Sequence, residues 1–398
     1  MAEAVAARGS ALEVLWAFLR LGCTSFGGPV AHLGYYRADL VARRRWLDEA
    51  TYVDIIALCQ FLPGPASSQT AVSIGMLRAG LPGGLAAWAG FTLPSAVAMV
   101  AFAYGVSRVG DVAHAAWLHG LKIVAVAVVA QAVWGMGRTL CPDRLRASMA
   151  VGGAIVALAV PSAIGQVGAI AAGGVIGWLA LSAPAASPGG TLHFGVRRPA
   201  AVAALIVFFV LLAGLPVLAA ASGNHALMLL DRFYRAGALV FGGGHVVLPL
   251  LQQAVVPPGW ITPDAFLAGY GAAQAVPGPL FTFAAYLGAA MGPAPAGVAG
   301  AALCLLAIYL PSALLLVGVL PFWDGLRRRA GVQSALRGVN ATVVGVLLAA
   351  LYTPVWTSAI NRPTDFGLGL AAFLALVFWK VPPWLVVVLG GVAAAALG

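Results

Sequence analysis

Two short motifs rich in glycine and proline, each present twice, contain the residues of this sequence that are best suited to bind a ligand. The first, the FGG motif, comprises Phe26, Gly27 and Gly28 and returns as Phe241, Gly242, Gly243 and Gly244; the second, the PGP motif, comprises Pro63, Gly64 and Pro65 and returns as Pro277, Gly278 and Pro279. Proline removes a backbone donor and adjacent glycines weaken a helix, so helices must break here. A helix that restarts after a break presents unpaired N–H groups and about half a positive charge. Four matched breaks therefore predict an anion-binding site.

Polar side chains beside the breaks would add hydrogen-bond donors to this site. They are Gln60, Ser67, Ser68, Gln69 and Thr70 in the first copy, and Gln274 and Thr282 in the second. Arg20 and Arg235 stand at equivalent positions before the FGG motifs, and each could bind an oxyanion through two parallel hydrogen bonds. The alternative is that each arginine lies near a helix end, where it reaches the lipid headgroups or pairs with Glu13 or Asp231.

Four further residues are candidates for an ion pathway or for coupling to protons. Lys122 lies in an apolar stretch, and Asn340 is its equivalent in the second copy. An ionisable residue within a membrane segment is a functional hypothesis by default. His32 and His245 follow the two FGG motifs and could titrate near neutral pH, although a plain hydrogen-bonded role is the alternative. The four cysteines are far apart and the HExxH motif is absent, so no metal site is predicted.

The elements that must position these residues are membrane helices. Of the 398 residues, 62% are hydrophobic and 9% are charged, whereas soluble domains carry about 25% charged residues. The apolar runs approach the roughly 20 residues that a helix needs to cross a bilayer. Residues 200–218 are apolar on every face, unlike the alternating strands of a membrane barrel. The chain is therefore predicted to be an all-α polytopic membrane protein with roughly 10 to 13 membrane segments.

The motifs belong to a unit that is written twice, in the same order. Trp46 returns as Trp260, and Gly120 returns as Gly338. The prediction is a first repeat at 1–140, connecting membrane segments and a linker at 141–228, a second repeat at 229–356, and C-terminal membrane segments at 357–398.

Basic residues in the loops predict that the two halves are inverted copies. Arg43, Arg44 and Arg45 follow the first FGG motif, while the matching loop 252–263 has no basic residue. The asymmetry reverses later, where the second copy has three arginines at 327–329 and the first has none at 109–115. Basic loops face the cytoplasm, so equivalent loops lie on opposite faces. Inverted repeats are typical of secondary transporters. The net charge of +10 is explained by these loop arginines. It does not indicate nucleic-acid binding, because the sequence contains no nucleic-acid-binding module.

An ordered set of motifs resembles the chromate ion transporter family in its long two-domain form. The set comprises FGGP (26–29), RRRWLDEATY (43–52), LCQFLPGPASSQTAVSIG (58–75), AGLPGGLAAWAGFTLPSA (79–96), FGGGHVVLPLL (241–251), PGPLFTFAAYLG (277–288) and LRGVNATVVGVLLA (336–349). The resemblance implies a multi-pass secondary transporter of the bacterial inner membrane that exports chromate and confers chromate resistance. Two departures stand out: His245 replaces a tyrosine that is commoner in the family, and Gln253 and Ala254 lie where the family has an acid.

The residues alone indicate an oxyanion, and only the resemblance indicates chromate. Transport of sulfate or another oxyanion, or a passive anion channel built from broken helices, are the alternatives. No GxxxxGK[ST] nucleotide motif, cofactor motif or catalytic constellation is present, so we predict a protein that is not an enzyme and needs no cofactor. The expected mechanism is alternating access around a site between the halves. Expected partners are the oxyanion and membrane lipid; protons could be exchanged, and a homodimer would be an ordinary assembly.

Overall fold

The computed structural model describes residues 9–109, 116–182, 194–241, 244–326 and 329–397, which form helices and contain no strand. The helices of the first copy and the connecting region are α1 (Ala11–Thr24), α2 (Gly28–Tyr36), α3 (Glu49–Phe61), α4 (Ala66–Val109), α5 (Ala116–Leu140), α6 (Arg144–Ala159), α7 (Ala163–Ala180) and α8 (Arg198–Ser222). They are followed by α9 (His225–Ala238), α10 (Val247–Val255), α11 (Pro263–Ala275), α12 (Phe283–Ala290), α13 (Gly297–Val319), α14 (Trp323–Leu326), α15 (Ala330–Ala350), α16 (Thr357–Ala359), α17 (Pro363–Val377) and α18 (Pro383–Leu397). The predicted all-α class is confirmed.

Five helical stretches of the described chain are long and apolar enough, by length and composition, to cross a membrane: Ala66–Val106, Ala116–Leu140, Arg198–Ser222, Gly297–Leu326 and Ala330–Ala359. Shorter apolar helices cover Ile164–Ala180, Leu280–Ala290, Pro363–Val377 and Pro383–Ala396. The number of crossings stays a prediction.

The helices break where the motifs predict. Gly27 and Gly28 have φ angles of +98° and +77°, a conformation that glycine adopts without steric cost. Side-chain caps begin the next helices: the Asp48 carboxylate accepts the Thr51 N–H before α3, and the Thr262 hydroxyl accepts the Ala265 N–H before α11. α4 is itself interrupted at Ala79 and Gly80. We name its two parts α4N (66–78) and α4C (81–109).

In the first copy, α1 with α2 and α3 with α4N form two helical hairpins whose open ends meet. An ion pair joins Arg78 at the end of α4N to Glu13 at the start of α1, with 3.1 Å between Arg78 Nη2 and Glu13 Oε1. The guanidinium carbons of Arg78 and Arg44 lie 5.2 and 5.5 Å from the centroid of the Trp46 ring. We name this cluster base one. The broken motifs form the opposite ends, or tips, of the hairpins.

The second copy repeats this arrangement with α9–α10 and α11–α12. The Arg232 guanidinium of α9 lies 4.6 Å from the centroid of the Trp260 ring and donates to the Ala254 carbonyl at the end of α10. The His225 ring packs edge-on against Trp260, with 4.6 Å between centroids, and the Gly292 N–H donates to the Trp260 carbonyl at 3.3 Å. We name this cluster base two. Trp46 and Trp260, equivalent in sequence, therefore anchor equivalent clusters.

The two bases lie at opposite ends of α4C and its equivalent, α13, which pack antiparallel. Trp88 packs against Tyr309 with 5.7 Å between ring centroids. Near base one, the start of α4C and the end of α13 line one cavity through Leu81 and Leu316. At the other end, the Tyr104 hydroxyl lies beside Gly297, next to base two. Equivalent helices that run antiparallel are related by an axis perpendicular to them. The halves are thus inverted, as the loop charges predict.

Each half also packs its last helix pair onto the other half. α6 and α7 lie against α15, where Gly177 and Gly338 approach closely enough to leave no room for a Cβ at either position. In the same way α17 and α18 lie against α5, where Gly120 contacts the Gly390 carbonyl. This reciprocal exchange surrounds the hairpins with helices from both halves.

Candidate functional site

All four hairpin tips meet, and they pair reciprocally between the halves. The N–H of Gly64, in the first PGP motif, donates to the Val240 carbonyl just before the second FGG motif, at 2.7 Å. The N–H of Gly278, in the second PGP motif, donates to the Ser25 carbonyl just before the first FGG motif, at 2.8 Å. Each PGP motif therefore bonds to the residue that immediately precedes the FGG motif of the opposite half.

The central glycines of the PGP motifs are required by space as well as by backbone geometry. A Cβ on Gly64 would lie 2.6 Å from the Ser312 Cβ, and a Cβ on Gly278 would lie 2.6 Å from the Ser95 Oγ. Their φ angles are +120° and +97°. Ser95 and Ser312 are themselves equivalent in sequence, so the two close contacts are related by the same two-fold symmetry as the two hydrogen bonds.

A cavity of about 50 Å³, which we name the cradle, lies where the first FGG motif meets the second PGP motif. Its lining combines glycine backbone with polar side chains: Gly27, Gly28, Gln131, His245, Gln274 and Gly278. Pro29, Val128, Ala273, Val276, Leu280 and Pro383 complete it. Among the described residues, no carboxylate, lysine or arginine lines this cavity, so amides, one imidazole and backbone groups dominate its chemistry.

Three polar side chains and the start of a helix line the cradle, and one of the side chains has a hydrogen-bond donor without a partner. Among the described residues, the buried Nε2 of Gln274 has no hydrogen-bond partner. The Nε2 of Gln131 donates to the Leu376 carbonyl at 3.3 Å, and Nδ1 of His245 lies 2.8 Å from the Tyr270 hydroxyl. α2 begins at Gly28, and the first N–H groups of a helix have no partner within it. The unpartnered Gln274 nitrogen and the start of α2, which supplies positive potential, suit an anion.

A second polar cluster surrounds the start of α4N. Nδ1 of His32 lies 3.3 Å from the Ser67 hydroxyl, and the Tyr309 hydroxyl lies beside Ser68 and Thr92. All five residues are at least nine-tenths buried. Ser67 and Ser68 directly follow the first PGP motif, and none of the five residues lines the cradle.

The structure separates the remaining predicted residues into three groups. Tip residues that do not line the cradle are Phe26, Pro63, Gly64, Pro65, Ser67, Ser68, Phe241, Gly244, Pro277, Pro279 and Thr282. Lys122 and Asn340 lie in α5 and α15, away from the cradle lining. Gly242 and Gly243 lie outside the described residues.

The two arginines and Gln60 are not brought into the cradle. Arg20 lies on the exposed stripe of α1 with Leu12 and Trp16, because residues four apart share a helix face. Gln60 is exposed on α3. Arg235 forms an ion pair with Asp231 one turn earlier on α9, which is the structural alternative that the sequence offered. Neutral donors, rather than arginines, form the cradle.

Gln131 and Pro383 are cradle residues that the sequence motifs did not indicate. Gln131 is an amide within the apolar helix α5, flanked by Ala130 and Ala132. An isolated amide among apolar residues was the available signal for it. Pro383 begins α18 in the opposite half and carried no such signal.

Lys122 has a structural partner, which leads to a testable prediction. Its ammonium Nζ lies 2.8 Å from Asp264 Oδ1, with 6% and 34% of the two side chains exposed, in the interface of α5 and α11. Removal of one member of a buried ion pair leaves a charge without its partner. We expect Lys122→Met to lower the stability by about 3 kcal/mol. Thermal unfolding in detergent measures this, and Lys122→Met with Asp264→Asn should recover most of it. Equal loss in the double variant contradicts the pairing.

These features define the class: a polytopic α-helical membrane protein built from inverted repeats, whose broken helices meet at a small polar cavity. Such an arrangement is typical of secondary transporters.

Comparison with known proteins gives the family. The family model described as chromate transporter matches residues 12–178 and 227–395, one match for each half, and the chain belongs to this family. It is 30% identical to the chromate transport protein of Pseudomonas aeruginosa over 95% of this chain and 90% of that protein. It is 26% identical to the chromate transport protein of Cupriavidus metallidurans over 93% of this chain and 88% of that protein. A probable chromate transport protein of Synechococcus elongatus is 27% identical over 94% of this chain and 93% of that protein.

No solved structure matches the chain. The family membership confirms the predicted resemblance, the two homologous halves and the location as a multi-pass protein of the bacterial inner membrane.

Proposed function

We propose that this protein is a secondary transporter that exports chromate across the inner membrane by alternating access, with the oxyanion bound in the cradle. The observation that carries the proposal is the unpartnered, buried amide of Gln274, which faces the break at Gly28 across a cavity without carboxylates. A tetrahedral dianion would complete the hydrogen bonds of this amide. Family membership supports chromate as the substrate.

The inverted repeat supports alternating access. A second meeting point, by the two-fold relation, would lie beside the Gly64 N–H, which donates to the Val240 carbonyl just before the second FGG motif. Closure of one meeting point as the other opens would expose the oxyanion to each face in turn. Arg43, Arg44 and Arg45 lie at the base-one face, which the positive-inside rule places in the cytoplasm. Export that starts at this face would confer chromate resistance.

The direct test is the flux of radiolabelled chromate in sealed vesicles that contain the purified protein. Saturable flux that accumulates chromate against a gradient, with little suppression by excess sulfate, supports the proposal. Strong suppression by sulfate indicates a general oxyanion transporter. Flux that never exceeds equilibrium indicates a channel. An imposed pH gradient in the same vesicles tests whether protons are exchanged.

Gln274→Leu is the sharpest test of the cradle in this assay. Leucine keeps the approximate volume but removes the amide, and a hydrogen bond to a charged group contributes about 1.5 to 3 kcal/mol. We therefore expect the KM for chromate to rise by about tenfold or more. The control is Gln60→Leu, which changes the equivalent but exposed residue of the first copy. An equal change of KM in both variants contradicts the assignment.

A further inference from the structure

A second cavity, of about 450 Å³, adjoins the cradle at Gln131. Its lining is Gln131, Trp134, Gly135, Arg138, Thr139 and Val377. Gln131, Gly135 and Arg138 are spaced by four and three residues along α5, so they share one face of this helix. The rise of an α-helix puts about 10 Å along the axis between Gln131 and Arg138. The cavity thus extends from the cradle along α5 to an arginine.

The arginine lies at the face of the protein that carries base one. α5 begins beside base two, because Lys122 in its second turn pairs with Asp264 at the start of α11. The helix therefore ends at the opposite face, where Arg144 and Arg146 follow it. Asp143, the acid that lies next in sequence, is paired with Arg146 at 2.6 Å. Arg138 makes no hydrogen bond or ion pair among the described residues.

The equivalent region of the second copy lacks this charge. Continued from the match of Lys122 with Asn340, the equivalents of Gln131, Gly135 and Arg138 are Ala349, Thr353 and Trp356. Tyr352 and Trp356 are exposed there. The two halves therefore share a backbone plan but differ in electrostatics: one approach to the tips carries an amide and an arginine, and the other carries aromatic rings.

We infer that the Arg138 cavity is a loading vestibule that attracts the oxyanion at the base-one face and delivers it, past Gln131, to the cradle. A positive charge at the mouth of a cleft with low-dielectric walls raises the local concentration of anions and their rate of association, and salt screens this effect. Because the equivalent positions of the second copy, Ala349, Thr353 and Trp356, carry no charge, loading is favoured from one face. The inference rests on the proposed function, for which it supplies the direction.

The test compares two arginines in inside-out vesicles, which expose the base-one face to the medium. Arg138→Ala removes the vestibule charge, whereas Arg144→Ala removes an exposed charge from the same face without touching the cavity lining. We expect Arg138→Ala to raise the KM for chromate about fivefold at low ionic strength with Vmax kept, since a rim charge acts mainly on association. The difference from wild type should shrink at about 0.5 M potassium chloride. Arg138→Lys should restore most of the affinity.

Leucine substitutions at two glycines of α5 test the path by adding volume to it instead of removing charge. Gly135 and Gly137 both have open space at the position of a Cβ, so neither site is crowded where a side chain would begin. Only Gly135 lines the vestibule. We expect Gly135→Leu to lower the flux about tenfold or more, as an obstruction would, and Gly137→Leu to retain it.

The outcomes separate the inference from the proposed function. Wild-type vesicles that carry no oxyanion overturn the proposed function. Wild-type flux with equal KM values for Arg138→Ala and Arg144→Ala, or equal flux for the two leucine variants, overturns the vestibule alone.

Discussion

Gly28→Leu is expected to abolish oxyanion transport while the protein remains folded and inserted. Gly28 lines the cradle, and no atom lies within 4 Å of the position that its Cβ would take. A leucine side chain would therefore occupy the space meant for the oxyanion, in a cavity of only about 50 Å³. We expect the flux to fall about 100-fold or more, since a shift of a bound substrate by about 1 Å can already reduce a rate by this factor.

The φ angle of Gly28, +77°, imposes a separate cost that must be distinguished from occlusion. Any L-residue in this left-handed conformation costs about 1 to 2 kcal/mol. Gly28→Ala carries this cost with a small side chain, and Gly34→Leu adds the same large side chain to an exposed, uncrowded site of α2. Substantial flux in both controls, with membrane insertion unchanged in all three variants, isolates the occlusion. Wild-type flux in Gly28→Leu would place the substrate elsewhere.

Gly278→Ala is expected to lower both the stability of the protein and its transport activity. The added Cβ would lie 2.6 Å from the Ser95 Oγ and 3.1 Å from the Phe91 carbonyl, at a φ of +97°. Strain of this backbone and overpacking together cost about 2 to 4 kcal/mol. The same shift would lengthen the hydrogen bond from the Gly278 N–H to the Ser25 carbonyl, so transport should fall with stability. Thermal unfolding in detergent and vesicle flux measure the two effects.

Gly259→Ala is the matched control for this variant. Gly259 also has a positive φ, +76°, but nothing lies within 4 Å of its Cβ position. The difference in unfolding temperature between the two alanine variants therefore reports the crowding alone. Addition of Ser95→Gly to Gly278→Ala removes the nearest atom and should recover part of the loss. If Gly259→Ala is as destabilising as Gly278→Ala, close contact between the halves at this tip is wrong.

The sequence by itself determined the helical membrane class, the duplication and the positions of the breaks. Each depends on local properties: the hydrophobicity of long runs, the order of repeated residues, and the torsional freedom of Gly27, Gly28, Gly64 and Gly278. Inversion was also readable from the sequence, because loop arginines respond to the two faces of a membrane and not to tertiary contacts.

Tertiary structure decided which of these residues share a cavity. Arg20 and Gln60 stand beside the motifs in sequence, yet their helices turn them outwards, whereas Gln274, the equivalent of Gln60, faces the cradle. Gln131 and Pro383 reach the cradle because α17 and α18 of one half pack on α5 of the other. The rotation of a helix about its axis depends on which neighbours it packs against. For α1 and α3 the main neighbour is α4 of the same half, whereas α11 packs on both α5 and α18. All these contacts are distant in sequence, so local sequence could place the breaks but not select the side chains between them.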